Sequence, residues 1–139
     1  MSVSPAIDEA QLEAIVPAFY ARVRTDPLIG PVFDDAIEDW SVHLEKLVAF
    51  WSSVMLTSGR YKGNPMIAHL KHVGVLTPEM FDRWLALWKD VTEEQLPGDV
   101  AAALQHKAGR IAESLKLALW FRLPKNPAPS AAQPTSMGA

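Results

Sequence analysis

The sequence predicts an all-α fold. Apolar residues recur at helical spacing in four long stretches, at 12–23, 40–56, 81–91 and 100–119. Capping residues and Pro/Gly pairs bracket those stretches where helices should start and stop. No segment alternates convincingly with period two, so no sheet is expected.

Asp8, with Gln11 three residues on, has the pattern of a capping box, and Leu12, Ile15, Val16, Phe19, Tyr20 and Val23 follow at helical spacing. Pro17 lies inside that run. An interior proline removes a backbone hydrogen bond and clashes with the preceding turn. The expectation is therefore a short first helix, a break near Pro17, and a second helix carrying Tyr20. Asp26-Pro27 and Gly30-Pro31 punctuate the next stretch, where Leu28 to Phe33 reads as a short helical turn ending at Phe33. Asp34 to Asp39 reads as an acidic connector.

Trp40 to Leu56 is the clearest helix. Trp40, Leu44, Leu47, Trp51 and Val54 form one stripe, and His43, Leu47, Phe50 and Val54 form an overlapping one. Such a wide apolar face suits a helix covered on more than one side, and His43 lies within it. Gly59 to Pro65 is turn-rich, and Met66 to His72 reads as a short helical segment ended by Gly74. Thr77, Pro78 and Glu79 open a helix whose buried face is marked by Phe81, Trp84, Leu85, Trp88 and Val91. Pro97-Gly98 stops it. Asp99 opens the last helix, with Val100, Leu104, Ile111, Leu115 and Leu119 facing inward.

The chain has 139 residues, enough for one domain with a core of its own. The expected domain is 1–123, followed by a disordered Pro/Ala-rich tail at 124–139 that holds four of the eleven prolines. A net charge of −3 leaves no basic footprint, which argues against a nucleic-acid partner. With no cysteine, disulfides, zinc–thiolate sites, iron–sulfur clusters and a cysteine nucleophile are excluded together. No apolar run is long enough to span a membrane, and the N-terminus lacks the regions of a signal peptide, so a cytoplasmic protein is expected. Five tryptophans and five phenylalanines stand beside only two tyrosines. So many flat side chains either fill a core or line a slot for a flat ligand.

Taken singly, the polar residues on apolar faces have plain explanations. His43 and His69 can each be packed core histidines, and His72, three residues after His69, could share a face with it in a two-histidine metal site. The nearby carboxylates do not fall at metal-ligand spacing. His106 reads as solvated. Tyr20 and Trp84 each need a hydrogen-bond partner, which can be a backbone carbonyl or a ligand. No serine triad, phosphate loop or catalytic carboxylate pair stands out.

The order of the motifs says more than any one of them. FYARVRTDPLIGPVF at 19–33 is followed by WSVHLEKLVAFW at 40–51, RYKGNP and MIAHL at 60–70, and FDRWLALW at 81–88. In this order and near-family spacing the chain resembles the truncated globins, specifically their third group, over residues 8 to 120. The Gly-Gly motifs of the other groups are missing. The resemblance implies a two-over-two helical sandwich around haem b, with His69 as the proximal iron ligand. It makes Tyr20, His43 and Trp84 the distal polar residues. Phe33 would pack on the porphyrin, and Leu47 and Trp51 would form the distal wall. Lys46, Arg60, Tyr61 or Lys62 would meet the propionates. His72 lies one turn after His69, and the stretch to Phe81 is longer than usual, so His72 is the competing axial ligand.

Haem iron needs an imidazole on one side, a flat apolar slot, and donors on the other side. The implied function is binding of dioxygen, nitric oxide or carbon monoxide, in oxygen transport or in detoxifying redox turnover. Nitric oxide dioxygenation or peroxide reduction would need an external reductase, because this chain holds no electron source. The alternative on composition alone is a cofactor-free helical interaction module.

Overall fold

The computed structural model describes residues 7–65, 69, 72 and 74–120. Among them are five helices and no strand: α1 Glu9–Thr25, α2 Gly30–Ala36, α3 Trp40–Leu56, α4 Pro78–Gln95 and α5 Gly98–Trp120. The tail at 124–139 and most of the segment at 66–72 lie outside the described residues.

The capping box forms as the sequence predicts. The Asp8 carboxylate accepts from the Gln11 amide at 2.8 Å, and the Gln11 side chain accepts from the Asp8 amide at 3.0 Å. The break at Pro17 does not form: α1 runs through it as one helix. An interior proline costs about 3 kcal/mol. Against it stand Leu12, Ile15, Val16, Phe19, Tyr20 and Val23, all buried along one face. At about 1.5–3 kcal/mol for each large side chain, their burial outweighs that cost, and it needs an unbroken helix.

Asp26 ends α1. Its buried carboxylate accepts from the amides of Leu28 at 3.0 Å and Ile29 at 3.1 Å, closing the Asp-Pro turn. The helix therefore starts two residues later than the sequence suggests, at Gly30, and it takes in Asp34 and Asp35 from the expected connector. Gly30 lies so close to the last turn of α1 that a Cβ would sit 2.7 Å from the Arg24 carbonyl oxygen. Asp39 caps α3 and Thr77 caps α4, each accepting from the amide three residues on. Thr57, in the left-handed region at φ 53°, closes α3.

Helices α1 and α3 pack together, α4 and α5 pack together, and α1 joins the two pairs by packing on α4. This is the two-over-two arrangement. The core between the pairs holds Phe19 and Val16 from α1, Trp51 and Val48 from α3, Trp88 and Val91 from α4, and Leu104 from α5. Leu87 is buried too, although the helical stripe read from sequence passed it over. A smaller cluster of Phe81, Ala112, Leu115 and Leu119 closes one end of the α4–α5 pair. No helix among the described residues is long and apolar enough to cross a membrane.

Candidate functional site

Four helices bring aromatic and polar side chains to one end of the molecule. Tyr20 on α1 is only 4% exposed. Its ring meets Phe33 of α2 at 5.6 Å and Trp40 of α3 at 6.0 Å. Trp40 in turn meets Phe33 at 6.4 Å and the edge of His43 at 5.9 Å. From α4, the Trp84 indole N–H donates to the Tyr20 hydroxyl oxygen at 3.4 Å. Of the residues expected on the distal side, Tyr20, His43 and Trp84 are thus connected, and Phe33 joins them.

That hydrogen bond sets the chemistry of the pair. An indole nitrogen can only donate, so the Tyr20 oxygen is the acceptor and its own proton remains available. Burial pushes the Tyr20 pKa up to about 12, with the Trp84 hydrogen bond opposing it in part. The hydroxyl is therefore a neutral donor across the physiological range.

His43 is half-buried. Burial first, and the Lys46 charge second, hold its pKa below the usual histidine value. Arg24 lies over the Trp40 ring at 4.6 Å and pairs with Asp34, adding a cation to the ring that His43 touches.

His69 is half-buried and its ring packs against Phe81 of α4 at 6.1 Å. Its Nδ1 lies 2.7 Å from the Pro65 carbonyl oxygen. A carbonyl only accepts, so Nδ1 carries the proton and Nε2 keeps the lone pair. Burial lowers the His69 pKa, the Pro65 contact opposes this, and the neighbouring His72 adds to it. His69 is held as a neutral imidazole. The His72 amide donates to the His69 carbonyl at 2.9 Å. Among the described residues no group of three or more His, Asp or Glu side chains could hold a metal ion.

Helix α4 connects the two regions. Phe81, against His69, and Trp84, against Tyr20, are three residues apart and so lie on one helical face.

The remaining expected residues lie elsewhere or have other partners. Leu47 is half-buried on α3 and packs against the main core, while Lys46 is exposed. Trp51 is fully buried and stacks on Trp88, with ring centroids 4.8 Å apart and planes at 15°. Arg60 pairs with Glu9, which also accepts from the buried Ser52 hydroxyl. Tyr61 packs edge-on against Phe50 at 5.3 Å, and its amide donates to Ser53.

Two features were missed in the sequence. Trp40 stands at the centre of the aromatic cluster, and its three-residue spacing from His43 was the available signal. Asp26 accepts from Arg83 Nε at 2.7 Å, tying the α1–α2 corner to the residue before Trp84. Their separation of 57 positions left no local signal.

Comparison with known proteins agrees with this architecture. Residues 7–116 match the family model described as Bacterial-like globin. A Group 3 truncated hemoglobin from Campylobacter jejuni is 33% identical over 88 residues, covering 60% of this chain and 68% of that protein. The crystal structure of a group III truncated hemoglobin from Campylobacter jejuni matches with a TM-score of 0.75 at 27% identity, covering 86% of this chain and 96% of that one.

Proposed function

The chain belongs to the bacterial-like globin family, and we propose that it holds haem b through His69 and receives a diatomic ligand beside Tyr20, Trp84 and His43. Haem-based binding of small diatomic ligands is the activity of globins as a family, and the group III likeness read from the sequence agrees with the relatives found. The finer assignments to dioxygen, nitric oxide or carbon monoxide, and to iron held by histidine, are our reading.

The observation that carries it is the hydrogen bond from His69 Nδ1 to the Pro65 carbonyl. A ligating histidine characteristically spends its second ring nitrogen in this way, which fixes the tautomer and aims the lone pair of the other. The residues present fit a haem in other respects. Phe33, Leu44 and Leu47 supply half-buried apolar surface, and Tyr20 supplies a buried neutral donor.

Haem iron supplies the coordination position for a diatomic ligand. The protein supplies the rest. Tyr20 offers its hydroxyl proton to a ligand that gains negative charge, while Trp84 holds the phenol oxygen in place. His43 stays neutral near pH 7 and, half-buried with its ring edge-on to Trp40, is suited to gate entry. Lys46 and Lys62 are exposed cations suited to propionates. Arg60 would have to leave Glu9 to do the same. Nitric oxide dioxygenation or peroxide reduction, with an external reductase, and a cytoplasmic location belong to the same proposal. A cofactor-free interaction module loses its basis once the chain is placed in a haem-binding family.

Haem titration of the purified protein tests the reading. A Soret band should survive gel filtration. His69→Gly should lose it and regain part of it with added imidazole, whereas His72→Gly should keep it. A native spectrum in His69→Gly with loss in His72→Gly would move the ligand by one turn and refute the assignment.

A further inference from the structure

Three of the five tryptophans form a continuous series through the core. Trp84 and Trp88 are one turn apart on α4, with centroids 6.1 Å apart and planes at 3°. Trp51 of α3 stacks on Trp88 at 4.8 Å and 15°. Trp84 touches the Tyr20 hydroxyl at one end. At the other, Phe50 packs on Trp51 at 5.7 Å, and the half-buried Tyr61 packs on Phe50.

Ligand binding as proposed above uses only Tyr20 and Trp84 of this series. Volume alone does not call for indoles at the other two positions, since aliphatic side chains also fill cores. Indole is, however, the core side chain that most readily gives up one electron without losing a proton. A positive charge on one indole is also stabilised by the face of the next.

We infer that Trp84, Trp88 and Trp51 form a conduit that carries one-electron oxidising equivalents away from the ligand pocket toward the Tyr61 loop. The inference rests on the haem reading, and its oxidant is hydrogen peroxide. Reduction of one peroxide to two waters consumes two protons and two electrons. A haem held at this site would supply those two electrons, leaving two one-electron oxidising equivalents for the chain's own residues to fill. An electron from Trp84 fills one hole, Trp88 refills Trp84, and Trp51 shares the resulting charge with Trp88. A small one-electron reductant from solvent, such as ascorbate, then restores the indole. The second hole follows the same route.

The surroundings favour the indoles over Tyr20 as the resting place of the hole. Oxidising a phenol requires its proton to leave, and the hydrogen-bond partner of the Tyr20 oxygen is an indole N–H, which is no base. Burial holds that proton more firmly still. Trp88 N–H donates to the Leu104 carbonyl at 3.2 Å. That dipole favours positive charge on the ring but is too weak a base to remove the proton. The hole therefore stays a mobile radical cation.

Freeze-quenched electron paramagnetic resonance of the haem-loaded protein, mixed with one equivalent of peroxide, tests the conduit. The organic-radical signal should narrow when tryptophan is ring-deuterated and not when tyrosine is. Trp51→Phe should reduce its yield and slow its erasure by ascorbate several-fold. Because these rings are core, 5-fluorotryptophan offers a second arm that keeps their shape while making them harder to oxidise, and it should lower the yield likewise. A signal that responds only to deuterated tyrosine, or that ignores both Trp51→Phe and fluorination, overturns the conduit. Absence of a Soret band before peroxide is added would sink the haem reading instead. In that case flash oxidation of the haem-free protein by a ruthenium(III) complex still decides the matter: a Trp51-dependent indole radical supports the series, and a radical confined to tyrosine refutes it.

Discussion

Tyr20 and Trp84 should not act on a bound ligand independently, because they share a proton donor between them. In the native protein the single indole proton of Trp84 is directed at the Tyr20 oxygen, so the phenol proton is the one left for a ligand. A hydrogen bond of this kind is worth about 0.5–1.5 kcal/mol net, or roughly 2- to 13-fold in dissociation rate. Tyr20→Phe removes that proton but also strands the N–H of the half-buried Trp84, and a donor left without an acceptor costs up to about 1–3 kcal/mol when fully buried, less here. The indole then gains by turning to the ligand, so the single variant should speed dioxygen release by a factor near the low end of that range. Trp84→Phe removes only a 3.4 Å contact, at the long end for a hydrogen bond, and should change release less than about 3-fold. The double variant has lost both of these donors and should exceed the product of the two single effects. Stopped-flow dioxygen release from the ferrous protein measures this, with carbon monoxide, a weaker acceptor, as the control. A double variant whose rate equals the product of the singles would refute the shared-donor argument. One that matched the native rate would show that neither residue stabilises the ligand.

Gly30→Ala should lower the thermal midpoint by several degrees, since its Cβ would meet two backbone oxygens, of Arg24 at 2.7 Å and Val23 at 3.0 Å, for about 1–3 kcal/mol; an unchanged midpoint contradicts this. For Asp26, burial acts to raise the pKa, but Arg83 and the amides of Ile29 and Leu28 outweigh it and hold it below 3.8. Its folded pKa is depressed, so its stabilisation is present above the unfolded value and is lost as pH falls through the folded one. Arg83→Ala should therefore cost about 1–3 kcal/mol at neutral pH, discounted because Arg83 is 45% exposed, and move acid unfolding to higher pH. Superimposable acid-unfolding curves would count against it. The His43 imidazole should titrate below 6.5 by NMR, and stability should fall as pH drops from 6.5 through that lower value, because the unfolded chain takes up the proton first. Lys46→Gln should move the titration upward, and a native value above 6.5 would contradict the burial argument.

Local chemistry was enough to place most of the fold. The Asp8–Gln11 box, the Thr77-Pro78 start and the Pro97-Gly98 stop each work through neighbours within four residues, so the sequence displays them directly. Pro17 misled because its cost is local while the burial that overrides it comes from helices far along the chain. The candidate site divides in the same way. Tyr20, Phe33, His43 and Trp84 were legible through the order of motifs. Their mutual contacts, the Asp26–Arg83 pair and the partnership of Arg60 with Glu9 were not, since each joins residues distant in sequence. Spacing on one helix revealed Trp84 and Trp88 as neighbours, but that Trp51 would stack on Trp88 depended on how α3 meets the core.

Helix α4 touches His69 through Phe81 and Tyr20 through Trp84, one turn further along. An α-helix resists stretching, and one turn rises about 5.4 Å. No loop, glycine or proline intervenes between these two positions. The helix thus works as a fixed spacer: a tilt imposed where the imidazole rests is delivered to the phenol's partner without loss in a joint. In the proposed haem site, the seating of His69 and the donor geometry at Tyr20 would become a single mechanical variable, adjustable from either side.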